Sequence, residues 1–269
     1  MARQIEFERL LKMAFESGSE IPLLNGKYYL WEPGGGIQIW VKVKDRVVLG
    51  CTPHYSGEGV MKARIQGFYA RPEEISVTEG AFLGTALPAD GESAGFPLVV
   101  DMPGFESTAS RIVPPQTVTV QIAAFAREMT CFPTVEAFAQ WQRTTKNTPV
   151  SESFVFEETP LMGNASGGPA PAEALITAQV LKAGLQINPI TQQNFIALVV
   201  RTPDGSTIDV VANSQAASGE LLAGGIIQGT FWLSGTILGT ASSPETQSQT
   251  INSKAPMLSR LTGWARGGS

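Results

Sequence analysis

The chain has 269 residues, a net charge of −5 and a hydrophobic content of 43%. This length allows one large domain or two ordinary ones with substantial cores. The negative net charge excludes a global positive field that would hold nucleic acid or an anionic membrane, although it leaves a local basic patch open. Two cysteines, Cys51 and Cys131, do not make a disulfide scaffold, and we expect both to be reduced thiols.

The N-terminal sequence MARQIEFERLLKMAF alternates charged with apolar residues. It lacks the apolar run of a secretory signal. No stretch approaches the ~18 uninterrupted apolar residues that a membrane-spanning helix needs. We therefore expect a cytoplasmic protein that does not associate with membranes.

The first predicted element is a helix that stops near Gly18, a residue type common just after helix ends. Charged residues fill much of its outer side, as in an amphipathic surface helix. Its apolar residues recur at helical spacing and are Phe7, Leu10, Leu11, Ala14 and Phe15.

After Gly18 the hydrophobic period changes to two, which predicts strands. Pro- and Gly-rich clusters such as EPGGG and VPPQ separate these strands. One helix interrupts them at FPTVEAFAQWQ, with Thr134 as its N-cap, Glu136 in its first turn and an apolar stripe of Val135, Phe138 and Ala139. The predicted strands are GIQIWVKVKD, RVVLGCTPHY, GVMKARIQGFYA, AFLGTALP, FPLVVDMP, TVTVQIAAFA and, after the helix, SESFVFEE.

The fold class that follows is mostly β with minor α, arranged as two β domains. Residues 1–160 form the predicted N-terminal domain with its two helices. The stretch LMGNASGGPAP at residues 161–171 is the predicted linker, because it is rich in Gly, Pro, Ser and Ala and has no period. Residues 172–240 form the second domain, and residues 241–269 form a polar tail.

The second domain reads as strand EALITAQVLKAGLQIN, strand NFIALVVRT, tight turn TPDG, strand STIDVVAN, connection SQAASGELL and strand GIIQGTFWLSGTILG. This order resembles the OB-fold, a small β-barrel, with SQAASGELL where that family often has a helix and SESFVFEE available as a fifth strand. The resemblance implies oligonucleotide or oligosaccharide binding on the strand face through aromatic and basic side chains. That pattern is largely absent, because Lys182 and Arg201 are the only strand cations and Trp232 is the only aromatic residue placed on the outer face.

Catalytic chemistry is weakly supported. His54 is the only histidine, which excludes a histidine-cluster metal site and any Ser–His site without His54. Cys51 and His54 are three residues apart, so they point to opposite faces of a strand and make a poor nucleophile–base pair. Asp101 follows an apolar run and precedes Pro103, where turn capping is commoner than catalysis. We expect no catalytic residues, no bound metal and no cofactor.

The strongest candidate for a binding site is a face with basic and aromatic side chains on two strands. Three of its residues alternate along GIQIWVKVKD and three along GVMKARIQGFYA. If the two strands are neighbours, cations surround one indole in a way that suits single-stranded nucleic acid, another polyanion or an acidic partner protein. The alternative is a solvated face on which lysine stems cover the indole. The predicted binding face consists of Trp40, Lys42, Lys44, Lys62, Arg64 and Gln66.

Trp232 lies on the polar side of the strand GIIQGTFWLSGTILG, whereas Phe231 and Leu233 lie on its apolar side. Because an exposed indole leaves much apolar area in water, we expect another domain or a second subunit to cover Trp232. A ligand that stacks on the indole is the alternative.

These observations favour a non-enzymatic binding or assembly module that recognises a protein partner, and a homo-oligomer remains open. The second hypothesis is polyanion binding through the face around Trp40, and the third is an enzyme of unidentified class. A polyanion complex weakens steeply as the salt concentration rises, which distinguishes the first two hypotheses.

Overall fold

The structure is a computed structural model that describes residues 2–71, 79–89, 95–145, 153–156 and 170–240, apart from the side chains of residues 2–6, 154 and 156. Within these ranges the chain is mostly β, as the alternating sequence pattern predicts. The described residues form fourteen strands and three helices, and the strands are arranged in two sheets.

The smaller sheet is antiparallel and carries the N-terminal helix on one face. Helix α1 (Ala2–Ser17) is followed by β1 (Ser19–Leu23), β2 (Gly26–Gly34), β3 (Ile37–Lys44) and β4 (Val47–Tyr55), which pair in chain order. Ala14 of α1 is buried with Trp31, Ile39 and Val41 of the sheet. The predicted helix is therefore correct, although Phe7 and Phe15 at its ends stay 47% and 39% exposed.

The larger sheet has ten strands in the described residues and contains the main core. Its path is β11-β12-β8-β5-β6-β7-β14-β10-β9, with β13 paired to β8. The element bounds are β5 (Met61–Ala70), β6 (Gly80–Leu87), β7 (Pro97–Asp101), α2 (Phe105–Ala109), β8 (Gln116–Phe132), α3 (Val135–Thr145), β9 (Ser153–Phe156), β10 (Glu173–Ile187), β11 (Asn194–Arg201), β12 (Thr207–Asn213), β13 (Ala217–Gly219) and β14 (Ile226–Thr240).

Two long strands, β8 and β14, pair antiparallel along most of their length and take part in two closed circuits of pairing. One circuit runs β8–β12–β11–β10–β14, in which only the β12–β8 pairing is parallel. The other runs β8–β5–β6–β7–β14 and closes through a single bridge between Asp101 and Ser234. The β8–β14 ribbon therefore belongs to both circuits.

This pairing crosses the predicted division of the chain. Strand β8 lies in the predicted first domain, yet it pairs with β12, β13 and β14 of the predicted second domain. Strand β8 is also the fifth strand of the circuit with β10, β11, β12 and β14, a place that SESFVFEE was available to fill. Strand β9, which contains part of SESFVFEE, pairs only with β10 among the described strands. The division itself stays a prediction, since residues 161–169 of the linker and the whole tail, 241–269, lie outside the described residues.

Short sequence patterns correctly predicted one helix cap and one turn, but they missed three elements and the exposure of one side chain. Thr134 caps α3 by accepting a hydrogen bond from the backbone N–H of Ala137 at 3.1 Å. Val135, expected on the buried stripe, is 47% exposed, whereas Phe138 is buried. The TPDG turn is present, with Gly205 at a φ of 78°. The sequence did not reveal β1, β2 or α2, and the connection SQAASGELL contains β13 where a helix was considered.

Candidate functional site

The two strands of the predicted binding face are not neighbours. Strand β3 pairs with β2 and β4 in the smaller sheet, and β5 pairs with β6 and β8 in the larger one. Trp40 of β3 contacts Tyr28 edge-on at a centroid distance of 5.9 Å. Its ring also lies so close to Gly104 that a Cβ there would be 2.5 Å from Trp40 Cζ3. Trp40 therefore takes part in the contact between the smaller sheet and the loop that precedes α2.

Lys42 is occupied by two carboxylates of the segments that this sheet contacts. Its Nζ lies 3.2 Å from Glu79 and 3.0 Å from Glu106, and its side chain is only 16% exposed. Tyr28 donates a hydrogen bond from its hydroxyl to Glu79 and accepts one from the backbone N–H of Glu106. Burial raises the pKa of Glu79 above its ordinary value. Lys42 thus contributes to the contact of the smaller sheet with α2 and with the residue that precedes β6.

The remaining members of the predicted face are exposed. Lys44 ends β3, while Lys62, Arg64 and Gln66 alternate along the outer side of β5. Gln66 donates a hydrogen bond to Thr85 at 3.2 Å. Within the described residues, Lys44, Lys62 and Arg64 have no ion-pair partner. In the described part of the chain, Lys62 and Arg64 are therefore unpaired cations on β5, which lies in a different sheet from Trp40.

Trp232 is half-buried and is covered by residues of the predicted first domain. Its indole lies 5.1 Å from the ring of Phe125, and its Nε1 donates a hydrogen bond to Asp101 at 2.7 Å. Asp101 is buried and also pairs with Arg71, so it is not a turn cap. An interface of Trp232 with a second subunit stays a prediction.

A chain of four buried polar side chains joins the two sheets. Ser234 Oγ lies 2.9 Å from His54 Nδ1, and His54 Nε2 lies 2.8 Å from Gln121 Oε1. Gln121 Nε2 in turn donates to Asp209 at 2.7 Å. The four residues stand on β14, β4, β8 and β12, and each is at most 2% exposed. We call this set the buried polar chain.

The hydrogen bonds define the proton positions in this chain. Both hydrogens of the Gln121 amide nitrogen are used, because Nε2 donates to Asp209 and to the backbone carbonyl of Tyr55. Gln121 Oε1 therefore accepts, and His54 Nε2 carries the proton. His54 Nδ1 is then the acceptor for the Ser234 hydroxyl. Burial lowers the pKa of His54 from 6.5 to about 4, so the ring is neutral at pH 7.

Asp209 holds the turn that follows β4. Its carboxylate accepts hydrogen bonds from the backbone N–H groups of Glu58 and Gly59, each at 3.0 Å. Gly57 leaves room for this contact, since a Cβ there would lie 2.2 Å from Asp209 Oδ1. Burial raises the pKa of Asp209, and the amide of Gln121 is the largest opposing influence. The carboxylate thus fixes the SGEG turn to β12.

The buried polar chain has the hydrogen-bond order of a nucleophile, a base and an orienting group. Ser234 is completely buried, however, so within the described part of the chain its hydroxyl is enclosed by protein. The arrangement is suited to joining strands from two sheets. The sequence signal was four polar residues within otherwise apolar strand stretches, but their meeting depends on long-range pairing. Among the described residues, no group of three potential metal ligands occurs.

A surface cavity of about 430 Å³, which we call the α1 groove, lies between the end of α1 and the smaller sheet. Two rings, Phe15 and Tyr29, meet edge-on at 5.0 Å beside it. Lys27 lies over the ring of Tyr29 at 5.0 Å and pairs with Glu20. The lining residues are Phe15, Gly26, Lys27, Tyr29, Val43, Asp45 and Arg46.

The lip of the α1 groove is a strained turn. Asp45 and Arg46, between β3 and β4, have φ values of 49° and 67°. This left-handed region costs a non-glycine residue roughly 1–2 kcal/mol, so hairpin turns of this kind usually contain glycine. Arg46 has no ion-pair partner among the described residues. The turn therefore presents a free cation beside two aromatic rings.

Comparison with known proteins gives no relative. No protein-family description, no curated protein and no solved structure matches this chain significantly. Among the described residues, no helix is long and apolar enough to cross a membrane.

Proposed function

We propose that this protein is a non-enzymatic binding module that recognises a protein partner through the α1 groove. The observation that carries the proposal is the combination of two partly exposed rings with Arg46, which has no ion-pair partner among the described residues and stands on a strained turn. Strained backbone at a cavity is characteristic of binding sites, because the surrounding fold must stabilise it. Aromatic and arginine side chains are also the residues enriched at the centres of protein interfaces.

The charge of the groove indicates the kind of partner segment. Lys27 and Arg46 are cationic, and Asp45 is the one acid in the lining. Lys44 adds a further exposed cation at the end of β3. An acidic segment with one apolar anchor complements this surface, since the rings accept the anchor and the cations accept carboxylates. The polar tail of this chain is a poor occupant, because residues 241–269 carry three basic residues and one acid.

The competing functions have less support. The circuit of β8, β10, β11, β12 and β14 favours the likeness to an OB-fold. Ligands of OB-folds bind on the face of the second and third strands. Here Tyr55 occupies that side, with its ring 6.1 Å from Phe195 and in contact with Ala197. Polyanion binding would then depend on Lys62 and Arg64, whose cross-strand partners in the described sheet are not aromatic. An enzyme would depend on the enclosed Ser234.

Recovery of partners from the native host, compared between variants, tests the proposal. Arg46→Glu reverses the free cation, and Lys182→Glu is the matched control, since Lys182 pairs only with Glu58 in the described residues. We expect a protein recovered by the wild type and the control to be lost with Arg46→Glu. Equal recovery by all three proteins, or no recovery by the wild type, contradicts the proposal.

An active-site serine probe tests the enzyme hypothesis separately. A fluorophosphonate reacts with activated serines, and the burial of Ser234 predicts no labelling of the folded protein. Labelling that disappears with Ser234→Ala would contradict the non-enzymatic proposal and support hydrolysis.

A further inference from the structure

A second cavity, of about 380 Å³, lies where β5 and β8 meet the turn between β11 and β12. It shares no lining residue with the α1 groove. Its apolar wall is formed by Val60, Met61, Leu87, Pro88 and Ala89. Its polar side is formed by Lys62, Thr119, Ser206 and Thr207. We call it the Lys62 cavity.

Backbone hydrogen bonds hold the walls of the Lys62 cavity in place. Ala89 donates its N–H to the carbonyl of Asp204 at 3.0 Å, which joins the end of β6 to the TPDG turn. Thr207 donates its N–H to the carbonyl of Val60 at 3.3 Å. Lys62 and Thr119 are direct cross-strand partners on β5 and β8. The cavity is therefore formed before any ligand arrives, which lowers the entropic cost of binding.

Three donor groups of residues that line this cavity have no partner in the described part of the chain. Within the described residues, the Lys62 ammonium makes no ion pair, and the hydroxyls of Thr119 and Ser206 make no hydrogen bond. Arg64 lies two residues from Lys62 on the same exposed side of β5 and is also unpaired there. Lys62, Thr119 and Ser206 line one cavity, and an ammonium and hydroxyls are donors that suit an anionic acceptor group.

From this lining we propose that the Lys62 cavity binds a small molecule with an anionic group, either a carboxylate or a phosphoryl group. Lys62 supplies the charge, Thr119 and Ser206 supply hydrogen bonds, and the apolar wall accepts the carbon skeleton. The site needs neither the α1 groove nor a protein partner, so the two proposals stand or fail separately.

One buried acid opposes the anion and provides a test. Asp204 is 2% exposed, and its Oδ1 accepts hydrogen bonds from Thr202 and from the backbone N–H of Ser206. Its Oδ2 has no hydrogen-bond partner among the residues that the structure describes. Since this carboxylate lies two residues from Ser206, its charge weakens the binding of an anion. Asp204→Asn should therefore tighten binding of an anion and weaken binding of a cation.

The experiment is a titration of the full chain, followed by backbone amide NMR, with three probes of similar size. Benzoate carries a carboxylate, phenyl phosphate carries a phosphoryl group, and benzyl alcohol is the uncharged control. We expect at least one anion to shift the amide signals of Lys62 and of Gly205–Thr207, and benzyl alcohol to leave them in place. The anion that shifts these signals more strongly at equal concentration identifies the preferred group.

Variants decide whether the site is specific. Lys62→Met should weaken anion binding about tenfold or more, since a hydrogen bond to a charged partner is lost. Lys182→Met, which removes the same charge at a different cavity, should leave the affinity unchanged. Asp204→Asn should raise it. Equal weakening by both lysine variants, or shifts spread over the surface without saturation, would overturn the proposal.

Discussion

At the scale of single residues, His54 shows how burial determines protonation. The ring is 2% exposed, has neutral partners on both nitrogens and lies one amide away from the nearest carboxylate, Asp209. Water is the solvent that stabilises imidazolium, and it does not reach this ring. A neutral histidine is therefore part of the folded structure, and protonation opposes folding.

This leads to a pH-dependent stability with a defined sign. The folded-state pKa of His54 is about 4 against an ordinary value of 6.5, so the unfolded chain binds the extra proton first as pH falls. The free energy of unfolding should therefore drop by roughly 3 kcal/mol from His54 as the pH decreases from 6.5 to 4. Urea unfolding of the wild type and His54→Gln measures this difference.

The comparison with His54→Gln is needed because other groups act in the opposite direction. Burial raises the pKa of Asp209 and of Glu79, so their contribution to stability is lost as pH rises. The chain has no second histidine that would titrate with His54. Parallel stability curves for the two proteins between pH 4 and 6.5 would contradict this assignment.

At the scale of elements, β14 shows which side chains the alternation of apolar and polar residues correctly places in the core, and which contacts this alternation does not predict. Phe231 and Leu233 are fully buried, as their odd positions require. Trp232 lies on the opposite side and is stabilised by Phe125 and Asp101, whose approach depends on strand pairing. We expect Phe231→Ala to lower the free energy of unfolding by about 3–5 kcal/mol, because it leaves a cavity in the core.

A matched control for that prediction is the neighbouring Thr230→Ala. Thr230 lies on the outer side of the same strand and is partly exposed. Its removal should change the free energy of unfolding by no more than ~0.5 kcal/mol. Chemical denaturation of the three proteins is the measurement, and equal losses for the two variants would mean that alternation does not determine burial here.

The difference between alternation within a strand and pairing between strands explains which parts of the site the sequence could predict. Local rules place Trp40 and Lys42 on one face of β3 and Lys62 and Arg64 on one face of β5, and both alternations are correct. Whether β3 and β5 adjoin depends on contacts between residues distant in the chain, for which periodicity carries no information. The buried polar chain was missed for this reason, since its four members come from four strands.

At the scale of the whole molecule, two sets of polar contacts are among those that hold the smaller sheet to the rest of the described chain. One is the buried polar chain, in which His54 of the smaller sheet binds to β8 and β14 of the larger one. The other is the contact of Lys42 with Glu79 and Glu106. Buried polar contacts of this kind favour one relative arrangement of two surfaces, because another arrangement would leave buried polar groups without hydrogen-bond partners.

The circuits of strand pairing make a prediction about limited proteolysis. The composition of residues 161–171 favours cleavage there, and a broad-specificity protease should give fragments of about 160 and about 100 residues. Because β8 of the first fragment pairs along most of its length with β14 of the second, we expect the fragments to stay together after cleavage. Size-exclusion chromatography of the cleaved protein, without denaturant, should give one peak that contains both fragments.

The control is the same sample in urea, where the fragments should separate. Cleavage at other sites while this segment stays intact would reject the boundary between the two predicted parts. Separation of the fragments in native buffer would instead retain the boundary and contradict the shared sheet. The β8–β14 ribbon distinguishes these outcomes, because its core residues Phe231 and Leu233 would be exposed to water in the second fragment alone. Such exposure is costly in free energy, so the intact pairing is the expected result.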